Sequence, residues 1–514
     1  MNGAEALMHT ARTAGIDVCF ANPGTTEMPL VAALDSVPGL RGILGLFEGV
    51  CTGAADGYGR MTDRPAMTLL HLGPGFANGI ANLHNARRAR SPIVNLVGDH
   101  TRSHVEFDAP LTSDIVSLAR PVSGWVRSNR SADDLAVDFA AAARAALGPP
   151  RQVATLIIPA DCQWGKADGP AEIRRNAAAP VDTARILAAS DELRRAEHPA
   201  LLLGGTALRE PGLRAAARVA AATGARLLSE TFPARLERGT GLPRVERLPY
   251  FPEQAIEFLA SIDAIVLAGA REPVAFFGYP DTASRLAPAT AAITSVAVRG
   301  EDVAVALENL ANALDAPPTA PPGADAVLPG APAGGPLEPQ ALGALLARSQ
   351  PAGAIVVDEG ATTSLPYTLA ADAAPPHTVL GLTGGAIGQA LPVAVGAAVA
   401  CPDRKVIALQ ADGGGLYTLQ ALWTLAREGL DVTVLICSNR RYRILQIELA
   451  RAGIAEPGPN AQSLTDLSRP DIDWAGLGSS LGVPSRRVES VAELARELAP
   501  AIAAPGPRLI EMVV

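Results

Sequence analysis

Continuous apolar runs, glycine-rich turns and segments of helical spacing alternate along this chain, and the pattern is clearest between residues 405 and 443. KVIALQ, 405–410, reads as a buried strand, and Ala411-Asp412-Gly413-Gly414-Gly415 as a tight turn. Leu416 to Glu428 reads as a helix with an apolar stripe through Leu419, Leu422, Trp423 and Leu425, closed by Gly429 as its C-cap. DVTVLICS, 431–438, is then a second strand. A right-handed crossover makes the two strands parallel neighbours, so Asp412 and Asn439 face each other at their carboxyl ends, where ligands converge in open α/β sheets. PALLLGGTALREPGLRAAARVAAATGARLLSETFP, 199–233, repeats the order strand, double glycine, helix, strand. The alternation predicts an α/β chain of several domains, each an open, mostly parallel sheet flanked by helices.

An anionic oxygen beside a neutral amide oxygen suits a hard cation such as Mg2+, which keeps water and takes its other ligands from phosphates. Glycines at a helix N-terminus let backbone N–H groups approach a diphosphate. Taken alone, the segment also fits an ordinary βαβ unit with a turn Asp and a strand-end Asn. Asp-Gly at one end with Asn at the other nonetheless resembles the motif of thiamine diphosphate (ThDP) enzymes. The resemblance implies that Asp412, Asn439 and the backbone carbonyl of Arg441 hold Mg2+, with Gly413 and Gly414 against the diphosphate. The family usually has glycine where this chain has Ala411.

A second set of segments resembles the pyrimidine-binding domain of the same superfamily: FANPGTTEMPL (20–30), LGLFEGVCTGAADGYGR (44–60) and HLGPGFANGIANLHNARRARSPIVNLVGDH (71–100). Glu48 falls at the family's glutamate. Its carboxyl would bond N1′ of the aminopyrimidine and favour the imino tautomer, whose nitrogen removes the C2 proton to make the ylid. Read alone, Glu48 is a first-turn carboxylate that favours the helix dipole. GLTGGAIGQALPVAVGAAVA, 381–400, resembles the segment lining the cofactor rings, with Gly385 and with Ile387 as the aliphatic wedge. VVDEGATTS, 356–364, offers Thr362 and Thr363 as hydroxyl donors to the diphosphate.

The resemblance divides the chain into a pyrimidine-binding domain (1–170), a central Rossmann-like domain (185–315), a Pro/Ala/Gly-rich linker (316–339) and a diphosphate-binding domain (340–514). The central domain lacks GxGxxG and a suitably placed acidic residue, so neither a nicotinamide nor FAD is expected there. A net charge of −9 disfavours nucleic acid and anionic membranes as partners. No signal peptide or apolar span is evident, which predicts a cytoplasmic chain. The cysteines lack paired spacing and read as small buried residues, and His100 and His104 follow a strand among turn residues rather than lying on a zinc-binding helix.

Within the superfamily, His71 and the loop EFDAPLTSD, 106–114, look like benzoylformate decarboxylase, with Leu111-Thr112 at its Leu-Thr pair. Where that enzyme has another active-site histidine, this chain offers Phe276-Phe277. HLGPGFANG and the stretch after Asn439 look closer to acetolactate synthase large subunit-like proteins, although true acetolactate synthases have Phe-Gln-Glu at Pro110-Leu111-Thr112. The chain is therefore expected to be a ThDP- and Mg2+-dependent 2-oxo acid decarboxylase or carboligase working through an ylid and an enamine. Glu48 and His71 would be catalytic, and Thr25, Leu111, Thr112 and Phe277 would lie near the 2-oxo acid. As a strand-end residue His71 also fits a plain loop contact. The family further implies a homodimer or homotetramer with sites between subunits. The alternatives are a true acetolactate synthase, making acetolactate from pyruvate, and a non-catalytic ThDP-binding relative.

Overall fold

The computed structural model describes every residue except 175–176, 178, 299 and 320–325. Part of the expected linker therefore lies outside the described residues. Two compact units form: residues 1–176 with 328–371 and 382–514, and residues 177–327 with 372–381. Among the described residues three sheets form, mostly parallel, with helices packed on them, as the alternating pattern predicts.

In the first unit, strands β1 (Val18–Asn22), β2 (Arg41–Leu44), β3 (Ala66–His71), β4 (Ile93–Asp99), β5 (Trp125–Ser128) and β6 (Val153–Pro159) form an all-parallel sheet. Its order is β2-β1-β3-β4-β6-β5. Strands β3, β4 and β6 are buried on both faces, which explains their nearly unbroken apolar sequences. The chain leaves β1 toward one edge and resumes at β3 toward the other, so a crevice opens between the carboxyl ends of these two strands.

The second unit carries β7 (Pro199–Leu203), β8 (Arg226–Ser229), β9 (Leu236–Arg238), β10 (Glu246–Arg247), β11 (Ala264–Ala268) and β12 (Ala292–Ala297). Five of these pair in the order β10-β8-β7-β11-β12. After β7 comes a 3-10 turn, Gly205–Leu208, and then the helix Glu210–Thr223, matching the pattern read from 199–233.

The remaining sheet of the first unit contains β13 (Ile355–Glu359), β15 (Val406–Ala411), β16 (Val432–Ser438), β17 (Ser485–Val488) and β18 (Arg508–Val513), paired in the order β17-β18-β16-β15-β13. Strand β14 (His377–Gly381) belongs to the second unit, where it runs antiparallel to β9. β15 and β16 are parallel neighbours with Ala411 opposite Cys437, so Asp412 and Asn439 leave adjacent carboxyl ends as expected. The helix between them differs from the sequence reading. Asp412–Gly415 already forms a helical turn, a bend follows, and the regular helix spans only Ala421–Glu428. Gly413, Gly414 and Gly415 are buried, and their missing side chains let this turn wrap tightly under its neighbours. Gly429 caps the helix in the left-handed region, φ +61°.

Two helices of the first unit pack almost backbone to backbone. They are Glu48–Thr62, buried over nearly its whole length, and Ala390–Ala400, apolar on all sides. A Cβ on Gly53 would come within 2.6 Å of Pro392 Cβ, one on Gly57 would strike the Val393 carbonyl, and one on Gly396 would strike the Ala54 carbonyl. Cys19, Cys51, Cys162 and Cys437 are buried free thiols, and burial pushes Cys19 up to about 12. Among the described residues no helix is long and apolar enough to cross a membrane.

The seam gives a direct test. Gly396→Ala should lower the unfolding free energy by about 1–3 kcal/mol, the usual cost of overpacking a tight interior. Chemical denaturation followed by circular dichroism measures it, and an unchanged midpoint would show that the helices separate without cost.

Candidate functional site

At the crevice of the first sheet, β1 runs into Asn22-Pro23-Gly24-Thr25-Thr26-Glu27 and β3 ends at His71. Glu27 is fully buried. Its Oε2 accepts from the Gly24 N–H at 2.7 Å and from His71 Nδ1 at 2.8 Å, and its Oε1 accepts from the Thr26 hydroxyl. A carboxylate that receives Nδ1–H fixes the imidazole tautomer and leaves Nε2 as the free nitrogen. Two close approaches maintain this geometry: a Cβ on Gly24 would lie 2.4 Å from the His71 ring, and one on Gly98 would collide with Glu27. Asp99, at the end of β4, is raised above the usual carboxylate range, first by burial and further by the charge of Glu27, against a hydrogen bond from the His100 N–H.

Sequence reasoning missed Glu27 and selected its neighbour Thr25. The structure leaves Thr25 exposed, and Thr26 is the threonine beside His71, with Oγ1 3.3 Å from Nδ1. Pro29, the second residue of the helix Met28–Asp35, was the local sign that a helix begins just after Glu27.

Glu48 is the first residue of its helix and is buried. Asn78 Nδ2 donates to Glu48 Oε2 at 3.0 Å, from the helix Leu72–Ala89 that follows His71. Gly75 on the same helix keeps the carboxylate close, since a Cβ there would be 3.1 Å from Oε1. Asn78 was not legible, because nothing in sequence ties it to a glutamate thirty positions earlier. The loop with Leu111 and Thr112 also reaches this corner: a Cβ on Gly73 would meet the Ser113 side chain at 2.3 Å. Leu111 is exposed, and the Thr112 hydroxyl oxygen is buried without a hydrogen-bond partner.

On the other sheet, Asp412 is buried, and burial pushes its carboxyl up while backbone N–H groups hold it down. Oδ1 accepts from Gly413 N–H at 2.9 Å and Oδ2 from Arg440 N–H at 2.7 Å. Asn439 Oδ1 lies 3.1 Å from the Arg441 N–H that it accepts. Gly413 is crowded by Tyr442 and Gly414 by Glu359, so neither position has room for a Cβ. By contrast, Gly385 has φ +76° and open space around it, and Ile387 is 37 % exposed. Thr362 is half-buried and Thr363 buried, beside Ala361 at φ +53°.

These residues fit a metal-bridged diphosphate. Asp412 is a buried carboxylate held by backbone donors, and Asn439, whose amide oxygen accepts from the Arg441 N–H, follows the end of the neighbouring parallel strand. That donor set suits a hard cation that completes its shell from phosphate and water. Three of the left-handed non-glycine residues adjoin the predicted site residues: Leu72 (φ +52°) after His71, Ala361 before Thr362, and Arg440 (φ +58°) after Asn439. Such strain costs about 1–2 kcal/mol per residue and concentrates where side chains must be aimed.

In the second unit, Phe276 packs against Phe232 and Tyr250, with ring centroids 5.2 Å away in each case. Phe277 is exposed.

Comparison with known proteins bears on the same segments. Residues 1–118 match the model of the thiamine pyrophosphate enzyme N-terminal TPP binding domain, and residues 361–512 match the C-terminal TPP binding domain. The chain is 52 % identical to a protein of Mycobacterium tuberculosis named "Putative acetolactate synthase large subunit IlvX", over 100 % of this chain and 99 % of the relative. It is 31 % identical to the benzoylformate decarboxylase of Pseudomonas aeruginosa, over 98 % and 96 %. The thiamine diphosphate-dependent 4-hydroxybenzoylformate decarboxylase of Rhodococcus jostii RHA1 superposes with a TM-score of 0.88 at 26 % identity, covering 100 % of this chain and 99 % of that one. By sequence and by fold, this chain belongs to the thiamine pyrophosphate-dependent enzymes.

Proposed function

We propose that this enzyme is a ThDP- and Mg2+-dependent 2-oxo acid decarboxylase or carboligase, with Asp412, Asn439 and the Arg441 carbonyl as protein ligands of the metal. The observation that carries the reading is the His71–Glu27 pair at the crevice of the first sheet. A protein that only bound the cofactor would not need an imidazole set in one tautomer by a buried carboxylate. When bound, ThDP supplies the carbon nucleophile and the electron sink for loss of CO2 from a 2-oxo acid. Gly413 and Gly414 would present backbone to the diphosphate, Thr362 and Thr363 their hydroxyls, and Gly385 and Ile387 would support the rings. Glu48, oriented by Asn78, would hold the aminopyrimidine. His71 would deliver or accept a proton at the former keto carbon through Nε2, with Glu27 stabilising the charged ring. In the simplest outcome, the 2-oxo acid becomes CO2 and an aldehyde that gains one proton.

The names of the aligned decarboxylases support a 2-oxo acid substrate. Thr112 and Leu111 would contact it, given the unpartnered buried hydroxyl of Thr112. A true acetolactate synthase is the second reading, favoured by the name of the 52 % identical relative. Against it stands Pro110-Leu111-Thr112 in place of Phe-Gln-Glu. A second copy of the chain would complete each site. Leu46, Ile387, Leu416 and Tyr417, all substantially exposed near site residues, are apolar surface for it to cover.

Four measurements test this. Asp412→Ala should weaken ThDP binding in the presence of Mg2+ by roughly 100-fold or more, about 2.7 kcal/mol, in calorimetry; wild-type affinity would reject the metal assignment. Glu48→Gln should slow exchange of the ThDP C2 proton by at least about 100-fold while retaining the fold, and NMR showing undiminished exchange would reassign that role. His71→Ala and Glu27→Gln should each lower kcat/KM by roughly 10²- to 10⁴-fold with cofactor affinity intact. A screen for CO2 release should favour branched or aromatic 2-oxo acids over pyruvate by roughly 10- to 100-fold; accumulation of acetolactate from pyruvate would promote the second reading.

A further inference from the structure

Glu359 ends β13 directly opposite Gln410 on β15, so its side chain enters the first unit between two adjacent strand ends. It is buried, and its donors are uncharged backbone and amide groups. One oxygen accepts from the Gly388 N–H at 2.6 Å, the other from the Ala390 N–H at 2.7 Å, and the Gln410 side chain donates as well. Ala390 opens the helix Ala390–Ala400, and its N–H has no partner inside that helix. A carboxylate from another strand thus satisfies the start of a buried helix, a task that a local Ser or Asp normally performs.

The backbone on both sides of Ile387 is held. Gly388, at φ +88°, gives its N–H to Glu359, and its carbonyl accepts from Thr418 Oγ1 at 2.7 Å. Ala386 gives its N–H to Asn85 Oδ1 at 3.2 Å, and its carbonyl accepts from Asn85 Nδ2 at 2.8 Å. Between these two anchors Ile387 keeps its large apolar side chain partly exposed. The other face of Glu359 meets the glycine turn after Asp412, where a Cβ on Gly414 would lie 2.9 Å from Oε1. Fixed backbone under an unburied apolar side chain is how a rigid ligand platform is built.

We propose that Glu359 is a positioning residue that sets the spacing between the Ile387 platform and the Asp412–Gly415 turn. The inference rests on the reading of Ile387 and Asp412 as cofactor contacts. Glutamine cannot replace Glu359 neutrally, because its NH2 group would face one of two N–H donors.

The test uses full-length protein. In the cofactor-free state, Glu359→Gln should raise hydrogen exchange of the Gly388 and Ala390 amides at least about 10-fold and leave the β4 amides unchanged. At saturating ThDP and Mg2+ the same variant should slow C2 proton exchange at least about 10-fold, as Ile387→Ala should independently. If Glu359→Gln does not fold, Glu359→Asp serves, since the shorter side chain keeps the charge but cannot span both donors. Wild-type amide protection and wild-type C2 exchange in the Glu359 variant, with Ile387→Ala impaired, overturn the inference and leave the cofactor reading intact. Undiminished C2 exchange in Ile387→Ala overturns that reading instead, and the amide data still decide whether Glu359 clamps the turn. Uniform loss of protection across the protein would reduce Glu359 to a stability residue and defeat the proposal.

Discussion

The close approach of the helices Glu48–Thr62 and Ala390–Ala400 is the constraint on which the first unit depends. Glycine at 53, 57 and 396 removes the side chains that would hold the two backbones apart. The approach carries the site with it. Glu48 begins one helix, and the Gly388–Ala390 turn begins the other. Arg60, near the far end of the first helix, is fixed by Asp56 and donates to Thr383 at 3.1 Å, while Thr383 in turn donates to the Asn85 carbonyl at 2.8 Å. A shift along the seam would therefore move Glu48 and the Ile387 segment against each other. The polar contacts have usable geometry only because the apolar packing fixes them, a recurrent feature of sites mounted on rigid elements.

Both sheets of this unit solve one electrostatic problem in the same way. Buried carboxylates collect near the carboxyl ends of parallel strands, and backbone N–H groups are among the donors that satisfy each of them. Glu27 takes the Gly24 N–H, Glu359 takes those of Gly388 and Ala390, and Asp412 takes those of Gly413 and Arg440. Backbone donors are fixed by the fold and cost no side-chain entropy to aim. Arg440, whose N–H Asp412 accepts, itself stands in the left-handed region at φ +58°.

The strand order around Asp412 and Asn439 was legible because burial on both faces leaves continuous apolar runs, and because the crossover rule leaves only one arrangement of two such runs. Glu48, Asp412 and Asn439 were legible by their motifs and emerge at strand or helix ends as expected. The helix after Asp412 was misjudged because glycine was read as a turn residue, whereas here three glycines continue as helix under crowded neighbours. Glu27, Asn78 and Glu359 escaped for another reason. Each acts through a contact distant in sequence or through backbone donors, and neither leaves a spacing pattern. Thr25 and Thr26 illustrate the limit: adjacent and chemically identical, they differ only in which faces His71.

His71 carries the strongest argument about chemistry because its surroundings are asymmetric. Nδ1 is committed to Glu27, and the space behind it is closed by Gly24 and Gly98, whose missing side chains admit the ring and the carboxylate. The ring is about one-quarter exposed while Glu27 is wholly buried. A histidine serving merely as a strand-end hydrogen-bond donor would gain little from a buried carboxylate partner, which loses its hydration and must be satisfied by three donors. That desolvation is offset if the imidazole must carry charge during turnover, since the nearby carboxylate then stabilises the cation where water cannot.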